Sequence, residues 1–257
     1  MFAHVGTLAY STFRETVRDR IFYLVAVFGF VMLASTAVVS PLTVGAQGKI
    51  MTDVGLAAMT VFGMLVVVFV GSNMVRKEMD KGTILTILSK PVSRRQYLWG
   101  KFLGLGMTQI SMIAIMGALF MLMTLVAPGD FSLRFVAAIY MALLEMVLIT
   151  AVVVFFSTCV SPVLAAVFTL GTFAMGHLSE SIRDFGAMQG TALQARVAEV
   201  IYYLVPNLEV FNVRGAVVHG DVVAGEHLLM ATLYALAYSG LLLLLAGSIF
   251  ARKELRG

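Results

Sequence analysis

The stretch FVAAIYMALLEMVLITAVVVFFS, from Phe135 to Ser157, decides the fold class of this 257-residue chain. It runs for 23 residues and contains a single charged residue, Glu145. A helix of about 20 apolar residues can cross the hydrocarbon layer of a membrane, because each residue adds about 1.5 Å along the axis. The stretch therefore predicts a membrane-spanning helix.

Five further runs share this character and contain no charged residue. Charged residues make up only 12% of the chain and hydrophobic residues 60%, whereas a soluble domain has about 25% charged residues. We predict an all-α, polytopic membrane protein with six transmembrane helices, forming one transmembrane domain over residues 1–257. The other five runs are Ile21–Val39, Val54–Met74, Phe102–Ala127, Val163–Gly176 with its flanks, and Leu228–Phe250.

The basic residues predict the orientation of these spans. The segments 1–20, 75–101, 158–162 and 251–257 together hold 13 of the 18 Lys and Arg residues, and the loops on the opposite side hold five. Basic loops stay in the cytoplasm, so both termini are predicted to be cytoplasmic and residues 177–227 extracytoplasmic. Because the charge flanks spans and no recognition motif accompanies it, nucleic-acid binding is not expected.

The segment KEMDKGTILTILSKPVSRRQYLWGK, from Lys77 to Lys101, is a charged island between two apolar runs. Eight of its 25 residues are charged. Pro91 disfavours helix at the residue before it, and Ser93 suits a helix N-cap. We expect a short helix, a turn, and a second short helix that leads into the third span. From the residues alone, a surface for another protein and an anchor loop without a partner are equally supported.

The first 20 residues form a second charged segment beside a span. Apolar residues recur at near-helical spacing between polar ones, which predicts an amphipathic helix lying in the inner membrane interface. A solvated helical leader is the alternative. The apolar positions are Phe2, Val5, Leu8, Phe13 and Val17.

Close helix packing is predicted at small residues in the third and fifth spans, because glycine lets membrane helices approach one another. These positions are Gly100, Gly104, Gly106, Gly171 and Gly176.

The charged island resembles the cytoplasmic loop of the type-2 ABC exporter permeases. The branch it resembles is the one associated with multi-copper-enzyme maturation, which includes the nitrous-oxide-reductase accessory permeases. The leader and a stretch after the fifth span also match. The matching residues are Phe13-Arg14-Glu15-x-x-Arg18, Glu78-x-x-x-Gly82-Thr83, Pro91-Val92-Ser93-Arg94, Tyr97, Gly100-Lys101 and Val205-Pro206-Asn207-Leu208.

This resemblance implies a permease that pairs with a second copy or a paralogue in a bacterial or archaeal inner membrane. A separate cytoplasmic ABC ATPase would bind ATP and Mg²⁺ and dock on the island and the leader, and an extracytoplasmic accessory protein is a further implied partner. The implied ATPase-coupling residues are Glu78, Gly82, Thr83, Pro91, Arg94 and Lys101, and those of the interfacial helix are Phe13, Arg14, Glu15 and Arg18.

The chain itself contains no G-x-x-x-x-G-K-[ST] phosphate-binding loop, which is the motif that cradles nucleotide phosphates. We therefore expect no cofactor and no enzymatic activity in this chain. Any ATP energy has to come from a partner.

Glu145 is the candidate residue of the translocation pathway. A charge at the centre of a membrane costs at least ~2.5–3.5 kcal/mol, so such a residue faces the bundle interior or a wet cavity. It is either a substrate, ion or proton site, or an acid that ties helices together. The alternatives for the whole chain are an ion- or proton-coupled carrier centred on Glu145 and a membrane scaffold that moves no solute.

Metal binding has only weak candidates, His177 and Met175. Histidine and methionine suit copper, but methionine is also an ordinary filler of apolar helices. The lone cysteine, Cys159, excludes an intrachain disulfide. Nothing in the sequence identifies the cargo.

Overall fold

The computed structural model describes residues 2–18, 23–39, 47–80, 93–126, 132–189 and 192–252. These ranges are almost entirely helical and contain no strand, which confirms the all-α prediction. The helices are α1 (Phe2–Arg18), α2 (Tyr23–Val39), α3 (Gln47–Asp80), α4 (Arg94–Val126), α5 (Arg134–Cys159), α6 (Pro162–Gln189), α7 (Ala192–Leu204), α8 (Arg214–His219) and α9 (Gly225–Arg252), with a 3-10 helix at Glu209–Phe211.

Five of these helices, α3, α4, α5, α6 and α9, are long and apolar enough to cross a membrane. The chain is therefore a multi-pass membrane protein. The first predicted span corresponds to α2, whose 17 residues would reach only about 26 Å at 1.5 Å per residue. The residues on both sides of α2 lie outside the described ranges, so the count of six spans stays a prediction.

Helix α5 occupies the centre of the bundle. It packs against α3, α4, α6 and α9, and two thirds of its most apolar stretch is buried inside the protein. Glycines of α3 allow a close approach: a Cβ at Gly71 would lie 2.4 Å from Cγ1 of Val153 on α5. The near-continuous apolar character of α5 follows from this position, because it is surrounded by helices.

The outer helices α6 and α9 leave large apolar surfaces uncovered. Only 22% of the apolar stretch of each is buried, and leucines such as Leu229, Leu233 and Leu236 are more than half exposed. Apolar surface of this extent marks contact with a membrane or another protein. Lipid is the environment that suits helices of this length.

Helix α1 packs along the first turns of α4. A Cβ at Gly100 would lie 2.7 Å from Cβ of Leu8, and a Cβ at Gly104 would lie 2.6 Å from Cβ of Thr12. The most deeply buried residues of α1 are small, Ala9 and Thr12 among them. The close approach is possible because glycines of α4 leave room for side chains of α1 at short distance.

The helix start predicted at Ser93 is confirmed. The backbone N–H of Gln96 donates to Ser93 Oγ (3.3 Å), and the Ser93 N–H donates to Gln96 Oε1 (2.9 Å), which is a reciprocal capping box. The short helix expected after Ser93 is the start of α4, which continues without a break to Val126. On the other side of the island, α3 extends to Asp80.

The fifth predicted span is part of a longer helix. Helix α6 continues beyond His177 through Gly186 to Gln189. One glycine in a helix costs only about 1 kcal/mol, too little to end a long helix. The next helix, α7, ends at Leu204, close to Pro206, as predicted.

Candidate functional site: a buried carboxyl–imidazole pair

Glu145 of α5 and His177 of α6 meet inside the bundle. Glu145 Oε1 lies 3.4 Å from His177 Nε2, and the two side chains are 4% and 21% exposed. Glu145 Oε1 forms no hydrogen bond to any described residue, so the two atoms touch without an aligned hydrogen bond. The prediction that Glu145 faces the bundle interior is confirmed.

The pair lies near mid-depth of its helices. Glu145 is 14 residues from Cys159 and 11 from Arg134, which places it about 21 Å and 17 Å from the two ends of α5. His177 is 15 residues from Pro162, about 23 Å along α6. The pair therefore lies well away from the ends of both helices.

The contact made by the other ring nitrogen fixes the proton position on His177. His177 Nδ1 lies 3.2 Å from the carbonyl oxygen of Phe173, one turn earlier in α6. A carbonyl oxygen can only accept, so Nδ1 carries the hydrogen and donates it. In the neutral ring, Nε2 therefore presents a lone pair toward Glu145.

A small recess opens beside the pair, between α3, α5, α6 and the segment that leads into α8. Its polar wall includes Thr60 of α3 and the side chains of Asn212 and Arg214. Arg214 Nε donates to Asn212 Oδ1 at 3.3 Å. The remaining wall residues are apolar, namely Leu56, Ala138, Ala142, Phe211 and Val213.

Polar side chains lead from this recess toward the exposed residue Glu180 on α6. Asn212 Nδ2 donates to Glu209 Oε1 (2.8 Å), and the Glu209 N–H donates to Asn207 Oδ1 (2.9 Å). Asn207 Nδ2 then donates to Glu180 Oε1 (3.0 Å). These groups form a continuous polar strip between Arg214 and the surface of the bundle.

The non-helical segment 205–208 carries this strip into the bundle. The Leu208 N–H donates to the Gly176 carbonyl (3.1 Å), the Asn207 N–H to the Tyr234 hydroxyl oxygen (2.9 Å), and the Tyr238 hydroxyl to the Leu204 carbonyl (3.0 Å). Tyr238 is 14 residues from the Arg252 end of α9, about 21 Å along it. Irregular backbone at this depth is tolerated because the protein satisfies its polar groups.

Replacing Tyr234 with phenylalanine should destabilise this segment. The change removes the acceptor of the Asn207 N–H, and an unsatisfied half-buried donor costs about 1–2 kcal/mol. We expect the melting temperature of the purified protein in detergent to fall by a few degrees. Tyr10→Phe, at an exposed position of α1, is the matched control and should melt as the wild type does; equal melting of both variants would contradict the role of this bond.

Three of the six residues proposed to couple to an ATPase lie in the helices that the structure describes. Arg94 and Lys101 belong to α4 and Glu78 to the last turn of α3. Lys101 is only 4% exposed, and its ammonium lies 5.8 Å from the centre of the Tyr97 ring. Gly82, Thr83 and Pro91 lie outside the described residues. The coupling role of all six stays a prediction.

The four residues predicted for the leader lie on α1. Arg14, Glu15 and Arg18 are exposed and Phe13 is half-buried. The charged side chains therefore point away from the contact between α1 and α4. This leaves them accessible to a headgroup or a partner.

The two weak metal candidates do not form a metal site with other residues. In the ranges that the structure describes, no group of three or more His, Cys, Asp or Glu side chains could hold a metal ion. His177 instead faces Glu145, and Met175 is half-buried on α6.

The pairing of Glu145 with His177 was not predicted, although the short turn between their two helices indicates it. The turn between α5 and α6 consists of Val160 and Ser161, so the two helices form a hairpin. Residues equally far from a hairpin turn lie level, and these two are 14 and 15 residues from the helix ends beside it. The contributions of Asn212 and Arg214 had no such signal, because the irregular segment that carries them has no periodicity.

One known protein family matches almost the whole chain. No curated protein is similar enough in sequence to match it. The pattern of the family described as ABC-2 family transporter protein matches residues 7–255, from α1 through α9 and across the charged island. The chain therefore belongs to the ABC-2 family of transporter proteins, whose members are membrane components of transporters.

Proposed function

We propose that this chain is the permease subunit of an ABC transporter in a bacterial or archaeal inner membrane. Closure of a separate cytoplasmic ATPase pair drives either export of a solute or a conformational signal across the bilayer. Two permease chains, identical or paralogous, form the membrane part. The resemblance of the charged island to the copper-enzyme-maturation branch supports placement in that branch.

The observation that carries the proposal is the packing of α1 along the first turns of α4, the helix that follows the charged island in sequence. Gly100 and Gly104 hold α1 against α4. Tyr97 of α4 also stacks on Phe250 near the end of α9, with ring centres 6.0 Å apart. A partner that bound α1 and the island would thus act on α4, and through Tyr97 on α9.

A carrier driven by an ion or proton gradient is the second candidate. The buried Glu145 beside a polar recess favours it, because ionisable residues at this depth mark ion and proton pathways. Such a carrier would transport in proteoliposomes without ATP, and Glu145→Gln would stop it. The ATP-driven permease would transport only with ATP and the partner subunit.

The docking of an ATPase is tested by cross-linking from single cysteines. Cys159 is exposed and is first replaced by serine. Cysteines at Arg18 and Arg95, both exposed, should then cross-link to a co-purifying subunit that hydrolyses Mg-ATP. The measurement is the mass-spectrometric identity of the cross-linked chain, together with ATP hydrolysis by the complex purified from its own membranes.

The matched control is a cysteine at Leu193, which is 72% exposed on α7 and predicted to lie on the opposite side of the membrane. It should give no cross-link to the ATP-hydrolysing subunit. Cross-links from Leu193 but not from Arg18 or Arg95 would overturn the predicted orientation. A complex without ATP hydrolysis would overturn the proposed function.

A further inference from the structure

We propose that Glu145 and His177 form a binding site for a single proton, reached from the side of the bundle where Glu180 is exposed. This site goes beyond the ATP-driven permease and does not depend on it. No ATPase residue takes part, and all the groups involved belong to this chain.

The facing atoms of the pair require one proton between them. The hydrogen of His177 Nδ1 is donated to the Phe173 carbonyl, so the neutral ring turns a lone pair toward Glu145. A carboxylate oxygen also presents only lone pairs. Two lone pairs 3.4 Å apart in a buried place repel, whereas one proton on either atom makes the contact attractive. The pair therefore has its most favourable state with a single shared proton.

The recess suits a proton better than a metal cation. A metal ion of the hard kind needs about six oxygen ligands, whereas the recess offers one carboxylate. The Thr60 hydroxyl already donates to the Leu56 carbonyl (3.3 Å), and Asn212 Oδ1 already accepts from Arg214. A proton needs only the pair of bases that Glu145 and His177 provide.

Two charged groups of opposite sign lie beside the recess. Arg214 of α8 is on its wall, and Glu209 of the 3-10 helix accepts a hydrogen bond from the wall residue Asn212. Helix α3 faces the pair with Leu56 and Thr60, which do not titrate in the relevant range. Among the described residues, α4 and α9 contribute nothing to the recess wall. Glu145, His177, Arg214 and Glu209 are therefore the ionisable groups at or beside the recess.

The polar strip supplies the route to the surface. Asn212, Glu209 and Asn207 connect Arg214 to Glu180 by direct hydrogen bonds, and polar groups of this kind can hold water between them. Toward the turn at Ser161, the buried hydroxyls of Thr150 on α5 and Thr169 on α6 donate to backbone carbonyls of their own helices. The polar strip is therefore the hydrogen-bonded route that leads from the recess to the surface.

The proton also links the two helices. It joins α5 to α6 about 21 Å from the two-residue turn that connects them. The non-helical segment that forms part of the recess is hydrogen-bonded to α6 at Gly176. A motion that separates α5 from α6 removes each base from the other and so changes the affinity for the proton. Conformational change in the bundle and proton release at this site are therefore coupled, in either direction.

The test is a pH titration of the purified full-length chain with ¹⁵N-labelled histidine. The chain has only four histidines, and His177→Gln assigns the signal of interest. We expect neutral His177 to carry its hydrogen on Nδ1. In Glu145→Gln, which has nearly the same shape but no carboxyl to share the proton, the ¹⁵Nε2 signal of His177 should differ from that of the wild type, whereas the Nδ1 signal should not.

Glu199→Gln is the matched control, since Glu199 is exposed on α7 and should leave the ¹⁵N signals of His177 unchanged. The carboxyl group is examined separately by infrared spectroscopy in His177→Gln, where the Glu145 carboxyl band should shift relative to the wild type. A neutral His177 with its hydrogen on Nε2, an Nε2 signal unmoved in Glu145→Gln, or a carboxyl band unmoved in His177→Gln would each overturn the site. None of these measurements uses ATP, so their failure is distinct from failure of the proposed function.

Discussion

Replacing Gly104 with leucine should uncouple the transporter while leaving the chain in the membrane. A Cβ at this position would lie 2.6 Å from Thr12 Cβ and 2.7 Å from the backbone oxygen of Ala9. A backbone atom cannot rotate away, so α1 must move off α4, and overpacking of this kind costs about 1–3 kcal/mol or more. We expect at least a tenfold loss of ATP-dependent transport (~1.4 kcal/mol) by the complex, with membrane insertion unchanged.

The control for this variant lies two residues further along the same helix. A Cβ at Gly106 would have nothing within 4 Å, so Gly106→Leu should retain transport and the cross-links of α1 to the partner. Transport and the amount of chain in the membrane are measured for both variants side by side. Equal transport by the two would show that docking of α1 on α4 is not needed for coupling.

The glycines illustrate how far sequence reasoning reaches in this fold. Close packing was predicted at five glycines of the third and fifth spans. It is confirmed at Gly100 and Gly104, which pack against α1, and is wrong at Gly106 and Gly171, where a Cβ would meet no atom within 4 Å. Gly176 is closely packed, but against the non-helical segment 205–208 and not against a helix. Composition identifies glycine as permissive, but which way each one faces depends on the rotation of its helix. In an apolar span that rotation leaves no mark in the polarity pattern.

Of the two residues in the candidate site, the sequence predicted the position of Glu145 but not that of His177. A lone carboxyl in an apolar run has to face inward, so Glu145 was identified from one residue and its surroundings. His177 was assigned to the outer end of a span, because the polar residues after it suggested that the helix had ended. The structure continues α6 to Gln189, and this continuation, with the two-residue turn before Pro162, sets His177 level with Glu145. The length of α6 was the quantity that the sequence did not reveal.

The contribution of segment 205–213 lay beyond any periodic signal. Its place in the bundle is set by hydrogen bonds to Gly176, Tyr234 and Tyr238, each far away in sequence. The resemblance had marked Val205-Pro206-Asn207-Leu208 without giving it a role. In the structure, the Asn207 backbone N–H donates to Tyr234, while its side-chain amide donates to Glu180 and accepts from the Glu209 N–H.

Replacing Gly176 with leucine should have the largest effect on stability of any change considered for this chain. A Cβ there would lie 2.6 Å from Leu208 Cγ and 2.7 Å from the Pro206 carbonyl oxygen, and displacement of the segment would break the bond between the Leu208 N–H and the Gly176 carbonyl. Overpacking and the lost hydrogen bond together cost about 2–4 kcal/mol. The melting temperature in detergent should fall markedly. The ¹⁵N signals of His177 should also change, because the recess wall moves.

Gly171→Leu provides the comparison on the same helix, since a Cβ at Gly171 meets nothing within 4 Å. Leucine favours helix over glycine by up to about 1 kcal/mol, so this variant should melt at or slightly above the wild-type temperature. Its His177 ¹⁵N signals should be those of the wild type. Because both variants add the same side chain to α6, the difference between them isolates the contact with segment 205–208. If Gly176→Leu melted like Gly171→Leu, that segment would not be held against α6, and the polar strip that leads to Glu145 would lose its support.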